Sequence, residues 1–353
     1  MARMEPPGLR RLRQALPGPL EVSFAGAEAN VAASLALLGQ DAAFVTALPD
    51  NPLSDACVGA LENLGVDTSG IIRTRGGRLG IYFVETGANQ RASRVIYDRG
   101  GSAVSLADKT AYPWERVFEG ASWFHVTGIT PAISRAAADA TLDAVKRARA
   151  ARLTVSCDLN FRGKLWRWDG GSDPRKLARK IMKDVLPHVD LVIGNEQDAE
   201  DVLAIRAGKT DAAAGRLDIE RYPEVAEKIA GAYPNVSRVA VTLRESVSAT
   251  HNAWGAMLYE TDRGQAFFAP MADGVYTPYQ IRSIVDRVGA GDAFAAGLIY
   301  ALNDPKLRDP AAAVAFGAAA GCLCHSIRGD FNYSSREEIL ALMGGETSGR
   351  VKR

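Results

Sequence analysis

Cysteine is scarce: the four, at positions 57, 157, 322 and 324, are scattered except for the last pair. That excludes a disulfide framework and fits a reducing compartment. Cys322-Leu323-Cys324-His325 has no second ligand pair and lies in an apolar, Ala/Gly-rich stretch, so it reads as buried small side chains rather than a metal site. Net charge is also lacking, because Lys+Arg 42 and Asp+Glu 41 leave +1. No basic stripe with interleaved aromatics is present, so nucleic acid is not an expected partner. Long apolar runs are missing too. The most apolar one, residues 311–324, is too short to span a bilayer and reads as a packed helix, so no membrane partner is expected. The Arg- and Pro-rich start lacks the apolar centre of a signal peptide, and the expected location is the cytoplasm. There is no internal repeat. With nearly half of 353 residues apolar, the chain can build one large α/β domain, or one with a small appendage.

What is present begins with Asp286-Arg287-Val288-Gly289-Ala290-Gly291-Asp292-Ala293-Phe294. Gly289, Ala290 and Gly291 are small and open into an apolar helical stretch. At a helix start several N–H groups have no intrahelical partner, which makes an anion site for a phosphate or a developing phosphoryl charge. Asp292 directly after it is poorly placed to bind phosphate but well placed to take a proton from an attacking hydroxyl. The run therefore points to phosphoryl transfer to an alcohol with Asp292 as base. An ordinary loop with an Asp cap is the plain alternative. A dinucleotide fingerprint is excluded by Phe294, and a Walker loop by the lack of a following Gly-Lys-Ser/Thr.

Apolar runs at residues 42–47, 123–126, 153–159, 191–193 and 239–243 alternate with helical stretches at 51–64, 134–150, 176–185 and 222–232. This rhythm predicts a doubly wound, mainly parallel sheet with helices on both faces. Each strand ends in polar residues: Thr127, Asp158 with Asn160, Asn195 with Glu196, and Thr242 with Arg244. Ligands in such folds sit outside the carboxyl ends of the strands, so these residues are expected to share one crevice. Residues 20–24, 79–85 and 94–97 break the rhythm as β-rich segments. The stretch 78–98 reads as a hairpin with Gly87-Ala88-Asn89 at its tip, a small flap over the crevice that would exclude water. The expected division is a core of 25–71 and 104–345, a β lid of 5–24 and 72–103, a solvated insertion at 205–220 and a tail of 346–353.

The longer pattern Asp-x-x-Gly-Ala-Gly-Asp-x-Phe-x-x-Gly resembles the C-terminal signature of the ribokinase-like (PfkB) sugar kinases. Arg287 stands where that family usually has Thr. Ala25-Gly26-Ala27-Glu28-Ala29-Asn30 resembles its N-terminal sugar-binding signature, with Ala25 replacing the first Gly. The resemblance implies a ribokinase-like fold, ATP and Mg²⁺ as cofactors, and sugar contacts by Gly26 and Asn30. It implies a phosphate and nucleotide side built from Asn160, Asn195, Thr242, Arg244 and Ser246. Asp198 takes the place of the usual Glu in an Asn-x-x-Glu motif that organises Mg²⁺ through water.

Tyr82, Tyr97 with Arg99, and Asn160 with Arg162 resemble the branch of the family that acts on 2-keto-3-deoxygluconate, as do Trp123-Phe124-His125-Val126-Thr127-Gly128-Ile129 and Gly329-Asp330-Phe331-Asn332. Arg99 and Arg162 would then grip the carboxylate of an acidic sugar, Tyr82 and Tyr97 bonding its oxygens. Surface salt bridging is the plain alternative for these arginines. The expected activity is ATP-dependent phosphorylation of that acid at its 6-hydroxyl. The alternatives are a kinase of a neutral sugar, such as fructose or ribose, and a homologue that binds without catalysis. A homo-oligomer formed through the lid is expected. The family opens with a Gly-Glu strand about a dozen residues before the Pro-Pro-Gly found here at 6–8, so the first strand is expected to be missing or cut short.

Overall fold

The structure, a computed structural model, describes residues 1–206 and 219–346. The expected insertion at 205–220 and tail at 346–353 therefore lie almost wholly outside the described residues. The strands that concern the site are β1 Ala2–Glu5, β2 Glu21–Phe24, β3 Ala47–Pro49, β4 Ile72–Thr74, β5 Ile81–Glu85, β6 Arg94–Asp98, β7 Trp123–Thr127, β8 Thr154–Asp158, β9 Leu191–Gly194, β10 Arg238–Ser248, β11 His251–Glu260 and β12 Gln265–Ala269.

The main sheet has seven strands, in the order β12-β11-β10-β9-β8-β7 with Tyr279–Ile281 paired to β11. The pairs among β7, β8, β9 and β10 are parallel. β11 is antiparallel to both β10 and β12. Period-two alternation sorts the apolar side chains to both faces. Val239, Val241 and Leu243 face the helices Arg135–Ala150, Pro174–Val185 and Tyr222–Ala232, while Ala240, Ala256 and Leu258 face Ala27–Leu37, Ala290–Asn303 and Pro310–Cys324. Helices thus cover both faces, as the alternation of the sequence predicts. Their starts carry local signals: Ser134 accepts from Ala137 N at 3.0 Å, and Asp309 accepts from Ala311 N with Pro310 at the first helical position.

Two sequence expectations change. The run at 42–47 is not a main-sheet strand. Ala43 forms an isolated bridge, and β3 pairs with β4 in a separate two-stranded sheet. The strand expected at 239–243 does not end at Thr242 and Arg244, because β10 continues to Ser248 as half of a long hairpin with β11. Among the described residues no strand before β7 joins the main sheet. The chain opens with β1, which carries no Gly-Glu and sits inside a four-stranded sheet, β2-β1-β5-β6, rather than in the main one. Register places Ser23, Arg3, Tyr82 and Tyr97 in one row across this small sheet and Val22, Met4, Phe83 and Ile96 in the next. Adjacent rows face opposite sides. The first row turns to the main sheet, where Arg3 is fully buried.

Behind the anion loop, Ala290–Asn303 packs closely on Pro310–Cys324. A Cβ on Gly297 would lie 2.9 Å from the Ala320 Cβ and 3.0 Å from the Gly317 Cα. Gly297→Val is expected to force the two helices apart and lower stability by about 1–3 kcal/mol, read by denaturant or thermal unfolding.

Candidate active site

Asp286 Oδ1 accepts from Val288 N at 3.1 Å and turns the chain into the loop. Gly289 follows with φ +88°, and a Cβ there would lie 2.3 Å from the Asp330 carbonyl oxygen, so only glycine fits. The first intrahelical bond runs from Ala293 N to Gly289 O at 2.8 Å. The amides of Ala290, Gly291 and Asp292 therefore precede the helix's own ladder. A Cβ on Gly291 would meet no heavy atom within 4 Å, so the loop faces open space.

Asp292 lies in the first helical turn and is buried. Its Oδ2 accepts from Asn30 Nδ2 at 2.6 Å. Asn30 is aimed by its own helix start: Gly26, with φ +148°, is the N-cap of Ala27–Leu37, and its N–H donates to Asn30 Oδ1 at 3.2 Å. The side-chain oxygen is thereby held by the backbone, and the amide is left to point at Asp292. Burial pushes the Asp292 carboxyl up to about 7; Asn30 opposes the rise, and Asp330 and Glu28 add to it while Arg162 opposes it.

Around this centre the small sheet supplies Tyr82, Tyr97 and Arg99. The Arg99 guanidinium stands 4.9 Å from the Tyr97 ring centroid. Its Nε and Nη1 are buried with no hydrogen-bond partner. Burial lowers its pKa, a sign of a cation short of counter-charge. Arg162 follows β8 and donates to the Phe161 carbonyl at 2.9 Å. Glu28 Oε1 accepts from Thr127 N, Thr127 Oγ1 and Thr130 Oγ1 at 2.7–3.1 Å, fixing the end of β7. His125 is a packed strand residue: its Nδ1 meets Ser156 Oγ at 2.8 Å, and burial lowers its pKa to about 4.

The opposite end is built from β8, β9 and β10. Residues Thr242, Arg244 and Ser246 alternate along β10, so one face of a long strand presents all three. Burial, with Arg287 and Arg162 nearby, lowers the Arg244 pKa. Asn195 caps the short helix Glu196–Asp198, accepting from Asp198 N at 2.9 Å. Asp198 accepts in turn from Phe161 N at 3.0 Å and Asn195 N at 3.2 Å. Asn160 has φ +35°, and its buried Oδ1 has no partner. Burial raises the carboxyl pKa of both Asp158 and Asp198, with the Asp198 charge adding to the rise at Asp158. Among the described residues no group of three or more His, Cys, Asp or Glu side chains converges as a direct metal site.

One cavity of about 790 Å³ joins both ends and is lined by all the residues named from the sequence for catalysis, sugar, nucleotide and metal; Thr127, also expected at the crevice, bonds Glu28 instead and does not line it. That volume accommodates a nucleotide beside a small acid. The sequence reading missed three contributors. Glu28 sits inside a quoted motif, and its neighbour Asn30 drew the attention. Arg287 is noted from the sequence only as a departure from Thr; it donates to the carbonyls of Ser248 and Ala249 at 2.9–3.0 Å, tying the β10–β11 turn to the anion loop. Arg3 has no local signal, because its partners Asp286 and Asp330 lie about three hundred residues away in sequence.

The raised Asp292 carboxyl carries a stability consequence. An unfolded aspartate titrates near 4, so between about pH 4 and pH 7 the folded state resists ionisation more than the unfolded one. The resulting destabilisation is absent below that window and complete above it. Asp292→Asn is expected to raise the melting temperature, by more near pH 8 than near pH 5, as read by calorimetry.

The family model "pfkB family carbohydrate kinase" matches residues 13–333. The 2-dehydro-3-deoxygalactonokinase of Haloferax volcanii is 30% identical over 99% of this chain and 96% of its own length. The 2-dehydro-3-deoxygluconokinase of Bacillus subtilis is 27% identical over 94% of this chain and 89% of its own. The crystal structure of 2-dehydro-3-deoxygluconokinase from Thermotoga maritima superposes with a TM-score of 0.86 at 44% identity, covering 98% of this chain and 97% of that one. With the anion loop, the buried carboxylate and the ribokinase-like architecture, these matches establish that the chain belongs to the PfkB family and is a sugar kinase.

Proposed function

We propose that this kinase transfers the γ-phosphoryl group of ATP to the 6-hydroxyl of 2-keto-3-deoxygluconate. The observation that carries the acidic-sugar reading is Arg99, which lines the cavity end beside Tyr82 and Tyr97 and whose buried Nε and Nη1 have no hydrogen-bond partner. A neutral sugar would leave that guanidinium uncompensated, and a carboxylate would satisfy it. Arg162, on the same cavity wall, supplies a second fork. The relatives named as keto-deoxy sugar acid kinases support the same substrate class.

Asp292 acts as the base. Asn30 occupies its Oδ2, leaving Oδ1 for the sugar hydroxyl, and a carboxyl poised near 7 is suited to the task. As the hydroxyl oxygen bonds to the γ-phosphorus, its proton passes to Asp292 and the bond from phosphorus to the β-phosphate oxygen breaks, releasing ADP. The amides of Ala290, Gly291 and Asp292 stabilise the transferring group. Thr242, Arg244, Ser246 and Asn195 hold the nucleotide. The orphaned Asn160 Oδ1 beside the Asp158 and Asp198 carboxyls suits a hydrated cation, so these residues would hold Mg²⁺ through water, where it would neutralise phosphate charge. The small sheet serves as the lid. Consumption of ATP and four free thiols among the described residues suit the cytoplasm.

Asp292→Asn is expected to lower kcat on the order of a hundred- to ten-thousand-fold with KM values nearly unchanged. In the wild type kcat/KM should fall as pH drops below about 7, where Asp292 becomes protonated. A variant with near-normal turnover would remove Asp292 from the role.

Arg162→Ala and Arg99→Ala are each expected to raise KM for the acidic sugar by roughly a hundredfold, since an unpaired desolvated charge costs about 2–5 kcal/mol. Steady-state ADP release on the acid and on a neutral analogue is the measurement. Equal wild-type efficiency on the two would overturn the acidic-sugar reading.

The lid's outward row also supports self-association. Val22 and Ile96 are 54% and 45% exposed, with Met4 and Phe83 between them. We propose that a second copy covers this row. Ile96→Lys is expected to convert the oligomer to monomers in analytical ultracentrifugation, and a wild-type monomer would overturn the assignment.

A further inference from the structure

Asp330 is buried on the loop between the helices Pro310–Cys324 and Arg336–Met343, and the phosphoryl-transfer scheme above does not use it. Four elements meet at this residue. Its backbone oxygen packs against Gly289 so closely that no Cβ fits between them. Its Oδ1 accepts from Arg3 Nη1 at 2.8 Å and from the Tyr82 hydroxyl, both on the small sheet. Its Oδ2 lies 3.4 Å from Asn30 Nδ2, the same nitrogen that donates to Asp292 at 2.6 Å. One residue thus touches the lid and the sugar-facing helix through its carboxylate and the anion loop through its backbone.

We propose that Asp330 is a positioning residue for phosphoryl transfer. It holds Asn30 toward Asp292 and draws Tyr82 onto the sugar, with Arg3 as its buried counter-charge. The proposal rests on the reading of Asp292 as base. The geometry sets the consequences. Asn30 Nδ2 is shared between two carboxylates, so a change at Asp330 alters the bond to Asp292. The hydroxyl of Tyr82 has its donor committed to Asp330, which orients its lone pairs for a sugar hydroxyl.

The charge at Asp330 also acts directly on Asp292. The groups that face Asp292 are Asn30 and Glu28 from the helix Ala27–Leu37, Asp158 at the end of β8, Arg162 after it, Cys324 from Pro310–Cys324, and Asp330. Asp330 is the like charge that contributes most to holding the Asp292 carboxyl up, after burial itself. Arg3 lies on the far side of Asp330. Burial works against its charge, and Asp286 and Asp330 more than compensate, so its pKa is raised.

The test is a pH profile of kcat at saturating sugar and ATP for three variants. Asp330→Asn removes the like charge and keeps the shape. It should lower kcat by roughly ten- to a hundredfold through misplacement of Asn30 and Tyr82. It should also move the acidic limb to lower pH, on the order of half a unit. Asp330→Glu keeps the pairing with Arg3 and serves if the first variant does not fold. Its longer carboxylate approaches Asn30 and Asp292, so the limb should move to higher pH while kcat falls. Asp292→Asn should be depressed about a hundredfold or more at every pH. If it is so depressed while both Asp330 variants keep the wild-type limb and lose only thermal stability, Asp330 is structural and the proposal fails. If Asp292→Asn keeps near-normal turnover, the base assignment fails, and this proposal with it.

Discussion

One guanidinium holds the two sheets in register. Arg3 is fully buried and meets Glu5, Asp286 and Asp330, which come from its own strand, from the approach to the anion loop and from the C-terminal loop. Arg328 bonds Glu5 on its outer side at 3.0 Å. Burying such a set is expensive in itself, because each ion loses its hydration. The mutual attraction repays that loss only when the geometry is good. A cluster of this kind adds little net stability over a well-packed apolar one, but it is intolerant of displacement. If the small sheet slid by one residue, Arg3 would leave its carboxylates and an apolar neighbour would take its place. The position of Tyr82 and Tyr97 over the cavity follows from that constraint, because they share Arg3's row.

The other wall of the site depends on a backbone constraint. Parallel pairing places Thr127 beside Asp158, Asp158 beside Ile193, and Gly194 beside Val241. The chain therefore leaves several strands at one level, and the polar residues that follow converge without long-range instruction. The helix start at Gly289 faces the same level from across the sheet. Placing Asp292 there buries a carboxyl among other carboxyls, which destabilises the fold at neutral pH and raises the carboxyl's pKa. Stability given up at a site is a common companion of activity.

Much of this was legible in the sequence where the signal was local. The anion loop needs small residues followed at once by Asp, and that is a contiguous string. The alternation of Tyr82 with its neighbours and the hairpin around Gly87-Ala88-Asn89 follow from period two and turn chemistry. Reading went astray where local pattern was neutral between outcomes. The run at 42–47 is apolar enough for a main-sheet strand, yet β3 found its partner in β4. The polar residues Thr242 and Arg244 suggested a strand end, yet pairing with β11 carries the strand on to Ser248.

The sequence by itself determined the chemical groups on offer: a small-residue loop with a carboxylate beside it, arginines and tyrosines near the crevice, and strands ending in polar groups. These follow from residue identity and short spacing, and family resemblance sharpened them. Tertiary structure alone decided which charges meet. Arg3 and Asp330 are 327 residues apart in sequence, so nothing local foretells their contact. The same holds for the solitude of Arg99 and the raised pKa of Asp292. Both are properties of burial, which exists only once distant segments have excluded water from a common space.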